Sequence, residues 1–297
     1  MEILDNTKVD IEKRHKLFDD FLASEIREST DIYDGHKNIQ DSLKIYDIFV
    51  CGSDNIWNKN MLDTSFMLDF VTNDKLKIAY APGMSTDSLE SHHAEIIEPC
   101  VKDIHYISCR EFNGSKVLSE MLDKEVPVVL DPTLLLDESQ WTGFANPIEG
   151  VELPDSYIFC YFCGEEKFAR KKAIELKKIT GMPIITISNV SGRFTFADYH
   201  FGDFNKLNIG PREFLYLIKN AKYVCTDSFH GTVFSVIFQK EFFSFQRFFS
   251  KKNIFLNFRI NNLFTELDIP AERLIVPDSD FLLWRNVPSK AYPEADG

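Results

Sequence analysis

A short apolar run that stops at a loop rich in glycine, serine, aspartate or proline recurs along this chain. That recurrence limits its fold more than any other feature. The pattern appears in "YDIFVCGSD" (46–54), "LKIAYAPGMS" (76–85) and "DIHYISCRE" (103–111). A helical stretch from about 113 to 122 follows, and "VPVVLDPTLLL" (126–136) supplies a further predicted strand. Strands alternating with helices point to parallel α/β architecture. Ahead of them, residues 10–30 read as a helix with Ile11, Phe18, Leu22 and Ile26 on roughly one side.

The segment "NPIEGVELPDS" (146–156) holds two prolines and a glycine with little periodicity and reads as a domain boundary. Two domains are predicted, 1–147 and 148–285, with 286–297 as a loose tail. The rhythm restarts after the boundary with a strand at 157–163, a helix at 165–179 and a strand at 183–188. A polar and aromatic loop (189–208), a helix (211–220), a strand (222–225) and a helix after His230 complete it. At 297 residues each half is long enough for its own core.

Hydrophobic residues at 44% and charged ones at 27% describe a globular protein. No apolar run reaches the roughly 18 to 20 residues of a membrane-spanning helix, and the charged start "MEILDNTKVDIEKRHK" is unlike a secretory signal. No transmembrane segment and a cytoplasmic location are therefore expected. The formal charge of -13 argues against nucleic acid as a partner and requires any anionic substrate to be held by a local basic site. The six cysteines do not look like a disulfide framework. Cys160 and Cys163 form a CxxC, but it lies in a predicted strand, where residues three apart point to opposite faces. No metal is predicted.

Open parallel sheets bind ligands beyond the carboxyl ends of their strands. Four turns lie at such ends: Gly52-Ser53-Asp54, Gly83-Met84-Ser85, Ser108-Cys109-Arg110 and Asp227-Ser228-Phe229-His230-Gly231. In the last, a helix start favours an anion. Asp227 or Ser228 suits the cap, Gly231 would let an anion approach the backbone, and His230 suits donation or proton transfer. The plainer reading, caps plus a histidine bonded to a neighbouring carbonyl, stands beside it. Arg110 offers bidentate recognition of phosphate or carboxylate, or else forms a surface pair with Glu111. Ser53 and Asp54 are candidate substrate contacts, with Asp54 read either as a turn former or as a carboxylate facing the cleft. The segment 240–262 sets Lys240, Arg247, Lys251, Lys252 and Arg259 against one acid, Glu241, and interleaves them with seven phenylalanines. In so acidic a chain it stands out as a basic site.

Several of these segments together resemble the polysaccharide pyruvyl transferases. The matching stretches are "VCGSDNIWN", "KIAYAPGMS", "SCREFNGSKVL", "VVLDPTLLLDESQW" and "NIGPREFLYLIKNAKYVCTDSFHGTVFSVIFQKEFFSF", in register from about 45 to 275. The resemblance implies two Rossmann-like domains in a GT-B-like arrangement. It also implies transfer of the pyruvyl unit of phosphoenolpyruvate to two hydroxyls of a sugar, giving a cyclic ketal and phosphate without a cofactor. It places the arginine of an SxRE motif on Arg110, the histidine of a DSFHG-like motif on His230, and a later basic residue on Lys251 or Lys252, with Arg247 as the alternative.

The chain departs from the family pattern in places. The usual first strand-turn-helix unit is not found ahead of residue 45, Asn55 stands where glutamine is common, and Ser228 stands where some branches have arginine. Three readings follow: a pyruvyl transferase acting on a glycan or lipid-linked sugar, a GT-B-like glycosyltransferase using a nucleotide sugar, or a truncated relative that only binds. A homo-oligomer whose second subunit completes the site is a further expectation.

Overall fold

The computed structural model describes residues 2–34, 36, 38–187, 201–205, 208–247, 249, 257–277 and 279. The chain divides into two compact units. One comprises Ser29–Leu135 and Phe248–Leu263, the other Met1–Glu28, Leu136–Arg247 and Phe264–Gly297. Each carries a parallel sheet, as the alternating pattern predicted. The loose tail expected at 286–297 lies outside the described residues.

In the first unit, β1 (Ile48–Cys51), β2 (Leu76–Ala79) and β3 (Tyr106–Ile107) form a three-stranded parallel sheet in that order. The helices α2 (Ser91–Val101) and α3 (Phe112–Leu122) contribute Ile97, Val101 and Leu118 to a core with Phe49, Cys51 and Ala79. The opposite face leaves Ile48, Val50 and Tyr106 exposed. The strand expected in 126–136 is reduced to one parallel bridge, Cys109 with Val128, before a 3-10 turn over Pro132–Leu135. Pro127 and Pro132 bring no N–H, so a longer ladder has no donors at those positions.

The second unit begins with α1 (Glu2–Glu25), and α4 (Glu138–Phe144) follows the first sheet in the chain. Its five-stranded parallel sheet has the order β5-β4-β6-β7-β8, built from β4 (Ile158–Tyr161), β5 (Ile184–Thr186), β6 (Tyr223–Thr226), β7 (Glu241–Phe245) and β8 (Leu274–Ile275). Between these strands run α5 (Lys167–Thr180), α6 (Pro211–Asn220), α7 (Phe229–Ile237) and α8 (Phe258–Glu266). Sequence reading placed the helices of 165–179 and 211–220 well. Gly181, at φ +72°, ends the first, and Pro211 opens the second with the Glu213 carboxylate accepting the Gly210 N–H at 2.8 Å.

Two details differ from expectation. The first helix packs through Leu17 and Phe21, whereas Phe18, Leu22 and Ile26 of the predicted apolar side are exposed and the Ile11 side chain lies outside those described. The cause is local. A Cβ on Gly210 would lie 2.6 Å from that of Leu17, and Phe21 meets both Phe144 and the Arg212 guanidinium. These contacts group residues 1–28 with the five-stranded sheet rather than with the segment that follows them in sequence. The aromatic stretch after residue 240 also contains a strand that the pattern hid. Phe242, Phe243 and Phe245 of β7 are buried in the core between β6 and β8.

Candidate functional site

All four turns singled out from sequence stand at the carboxyl ends of strands. In the three-stranded unit Gly52 follows β1 at φ +116°, and a side chain there would put Cβ 1.9 Å from the Tyr80 carbonyl oxygen. Only glycine fits. The close approach brings the β1 and β2 turns together, and the Gly83 N–H donates to the Asp54 carbonyl at 2.7 Å. Ser53 Oγ donates to Ala81 O (2.8 Å) and to Asp131 Oδ2 (3.1 Å), which spends its hydroxyl on holding the turns.

Arg110 follows β3 and is buried. Its Nη1 donates to Asp131 Oδ2 at 2.7 Å and its Nη2 to Asp54 Oδ1 at 3.2 Å. The alternative of a surface pair with Glu111 does not hold, since both residues are buried and Arg110 faces the two aspartates. Asp131 also accepts from Thr133 N (3.0 Å) and Oγ1 (2.6 Å). Burial pulls the Asp131 carboxyl up, but the Thr133 and Arg110 bonds outweigh it and hold it below the usual carboxylate range. Asp54, at φ +61°, keeps its side chain 62% exposed and lies 3.8 Å from Arg259 Nη1.

Glu111 sits at the N-terminal boundary of α3 without capping it. Its Oε2 accepts the Ser85 N–H at 2.8 Å. Burial raises its carboxyl above the ordinary range against the pull of Arg110, the Ser85 bonds and Arg259. A Cβ on Gly83 would stand 2.9 Å from Glu111 Oε1 and 3.0 Å from Arg110 Nη2, so the glycine lets the β2 turn close over both.

In the five-stranded unit the "TDSFHG" joint follows β6. Thr226 Oγ1 donates to Tyr161 O at 2.7 Å and accepts the Ser228 N–H at 3.1 Å. Ser228, not Asp227, caps α7, its Oγ accepting the Gly231 N–H at 3.3 Å. Asp227 turns instead to β4, accepting the N–H groups of Cys163 (2.6 Å) and Gly164 (2.8 Å). Burial raises the Asp227 carboxyl, opposed first by Arg247 and then by the two N–H groups. Gly231 has a packing role: a Cβ would meet Thr226 Oγ1 at 2.4 Å, so the glycine admits the strand behind it and its N–H is already bonded to Ser228. His230, half-buried in the first turn of α7, packs edge-on against the Phe229 ring at 5.3 Å.

The basic segment disperses. Lys240 donates to Lys219 O (2.6 Å) at the end of α6, and the Arg247 stem lies over Gly164 beside Asp227. Lys251 and Lys252 lie outside the described residues. The two cysteines of the CxxC meet different surroundings: Cys160 contacts Cys225 in the core, while Cys163 lies near Asp227 and Arg247. Among the described residues, Glu90, His92 and His93 form one group with metal-ligand spacing, but Glu90 is bonded to Lys59 (3.0 Å) and His93 (2.6 Å).

The structure thus gathers Ser53, Asp54 and Arg110 in one unit, and Ser228, His230, Gly231 and Arg247 in the other. Sequence reading did not select Asp131, Glu111 or Arg259 as site residues. Asp131 lies in the segment 126–136 predicted as a strand, Glu111 neighbours the selected Arg110, and Arg259 stands in the basic segment.

A family model described as Polysaccharide pyruvyl transferase matches residues 4–247. No curated protein matches the chain. The match covers most of the 297 residues, so the chain belongs to the polysaccharide pyruvyl transferase family.

Proposed function

We propose that this member of the family transfers the pyruvyl unit of phosphoenolpyruvate to two hydroxyls of a sugar on a glycan or lipid-linked acceptor in exopolysaccharide synthesis. The CH₂ terminus of the enol takes a proton and becomes the methyl group. One hydroxyl oxygen adds to the central carbon, inorganic phosphate departs, and the second hydroxyl closes the ketal. Of the two hydroxyl protons, one balances the new C–H bond and the other leaves with phosphate. The proposal calls for no metal and no cofactor.

The observation that carries this reading is the family match over residues 4–247 together with its motifs at the strand ends. Arg110, Arg247, Lys251 and Lys252 supply positive charge for the donor. Asp54, Ser53, Ser228 and Gly231 shape its surroundings, and His230 handles one of the proton steps, an effect worth about 10²–10⁴ in rate. A GT-B-like arrangement of the two units, a cytoplasmic location and assembly as a homo-oligomer belong to the same proposal. No helix among the described residues is long and apolar enough to cross a membrane.

The test is label transfer. Phosphoenolpyruvate carrying labelled carbon is incubated with the protein and a panel of bacterial-type glycans and lipid-linked sugars. The reading expects acid-labile label in one acceptor with an equal amount of phosphate released. Transfer of a sugar from a nucleotide donor, with none from phosphoenolpyruvate, would establish the glycosyltransferase alternative instead.

A further inference from the structure

Two aspartates face Arg110, and they are held in opposite ways. The Asp131 side chain is 2% exposed and fixed by Arg110, both Thr133 donors and Ser53. The Asp54 side chain is 62% exposed, and among the described residues its carboxylate meets two guanidinium groups, Arg110 at 3.2 Å and Arg259 at 3.8 Å. Those guanidinium side chains are themselves only 2% and 14% exposed. An exposed carboxylate between two sheltered cations stands where an anion from solution would sit.

We infer that Arg110 and Arg259 form an oxyanion seat for the carboxylate or phosphate of a small ligand, and that Asp54 fills this seat as a displaceable stand-in. The inference deepens the proposed function and rests on it for the ligand's identity, because phosphoenolpyruvate carries both groups. The buried Arg110 keeps its 2.7 Å bond to Asp131 when Asp54 turns away, so its guanidinium stays in place for an incoming anion. Asp54 occupies a left-handed backbone position that aspartate tolerates, and rotation about its χ1 carries the carboxylate into solvent without moving the turn. Asp131 has no such freedom.

The assay titrates inorganic phosphate, pyruvate and phosphoenolpyruvate separately into the full chain by calorimetry, for the unaltered protein, Asp54→Asn and Arg259→Gln. Removing the competing carboxylate is expected to tighten phosphate or pyruvate about 3–10-fold, and Arg259→Gln to weaken the same ion about 10-fold or more. Which of the two ions responds identifies the donor group that the seat takes. Asp54→Ser repeats the test should the asparagine variant misfold, as judged by near-ultraviolet circular dichroism. Unchanged or weaker binding of both ions in the Asp54 variants overturns the inference. If the ions respond as expected but phosphoenolpyruvate binds no better than phosphate, the seat stands and the pyruvyl-transfer reading fails. If phosphoenolpyruvate binds and transfers with no response to either substitution, the reading stands and the seat fails.

Discussion

Asp131 in the three-stranded unit and Asp227 in the five-stranded unit invite comparison, because each is a buried aspartate near the carboxyl ends of its strands and each has an arginine beside it. Asp131 is satisfied by the Thr133 hydroxyl and N–H together with the Arg110 and Ser53 side chains, and its carboxyl is held below the usual range. Asp227 is satisfied by the backbone of the β4 turn, with Arg247 as a charge nearby, and titrates high. The first is an ion pair inside a network that includes a second, exposed carboxylate, Asp54. The second locks two turns together and leaves the cap of α7 to Ser228. Similar residue pairs therefore do different work: one assembles a charged site and the other fixes the backbone on which His230 is mounted.

Substitutions break this comparison in a definite order. Asp131→Ala takes a 2.7 Å carboxylate bond from the buried Arg110 guanidinium and is expected to destabilise the three-stranded unit by about 3–5 kcal/mol. Hydrogen exchange would show that loss in the strands of that unit. Asp227→Ala strips the Cys163 and Gly164 N–H groups of their acceptor, at about 1–3 kcal/mol for each, and the loss belongs to the five-stranded unit. Gly231→Ala pushes a methyl group into Thr226 and costs about 1–3 kcal/mol, read from the urea midpoint. Asp54→Ala, at an exposed side chain, is expected to cost less than about 1 kcal/mol, which would confirm that the two aspartates around Arg110 are unequal.

Acidity sharpens the same contrast. Asp131 binds its proton less readily folded than unfolded, so its contribution is present above the unfolded carboxyl value and is lost as pH falls through the folded one. Glu111 and Asp227 bind theirs more readily folded, so their contribution is present below the unfolded value and is lost as pH rises through the folded one. Urea midpoints measured across the acid range should therefore fall less on acidification in Asp131→Asn, and fall less on raising pH in Glu111→Gln.

Much of the fold was legible because its punctuation is local. Gly52 and Gly181, both at positive φ, end β1 and α5 by backbone chemistry that a few neighbours determine. β7 is not legible in the pattern, because the "FFSF" of "EFFSF" is buried on both faces and shows no alternation. The face of α1 was misassigned because Leu17 and Phe21 are chosen by Gly210, Phe144 and Arg212, all distant in sequence. The site was legible in part. Arg110 and Asp54 were selected, but the acid that fixes Arg110 and the second arginine on Asp54 come from segments whose approach no spacing rule announces. Gly231 stands out in the sequence as a place for an anion to approach, while the room its missing side chain leaves for Thr226 is visible only in the fold.

The proposal that phosphoenolpyruvate is the donor is tested by calorimetric titration of that compound into the intact chain, with inorganic phosphate and a uridine nucleotide sugar titrated in parallel. Saturable binding of phosphoenolpyruvate, competed by phosphate and tighter than binding of the nucleotide sugar, is expected. Absence of phosphoenolpyruvate binding, or a clear preference for the nucleotide sugar, would contradict it.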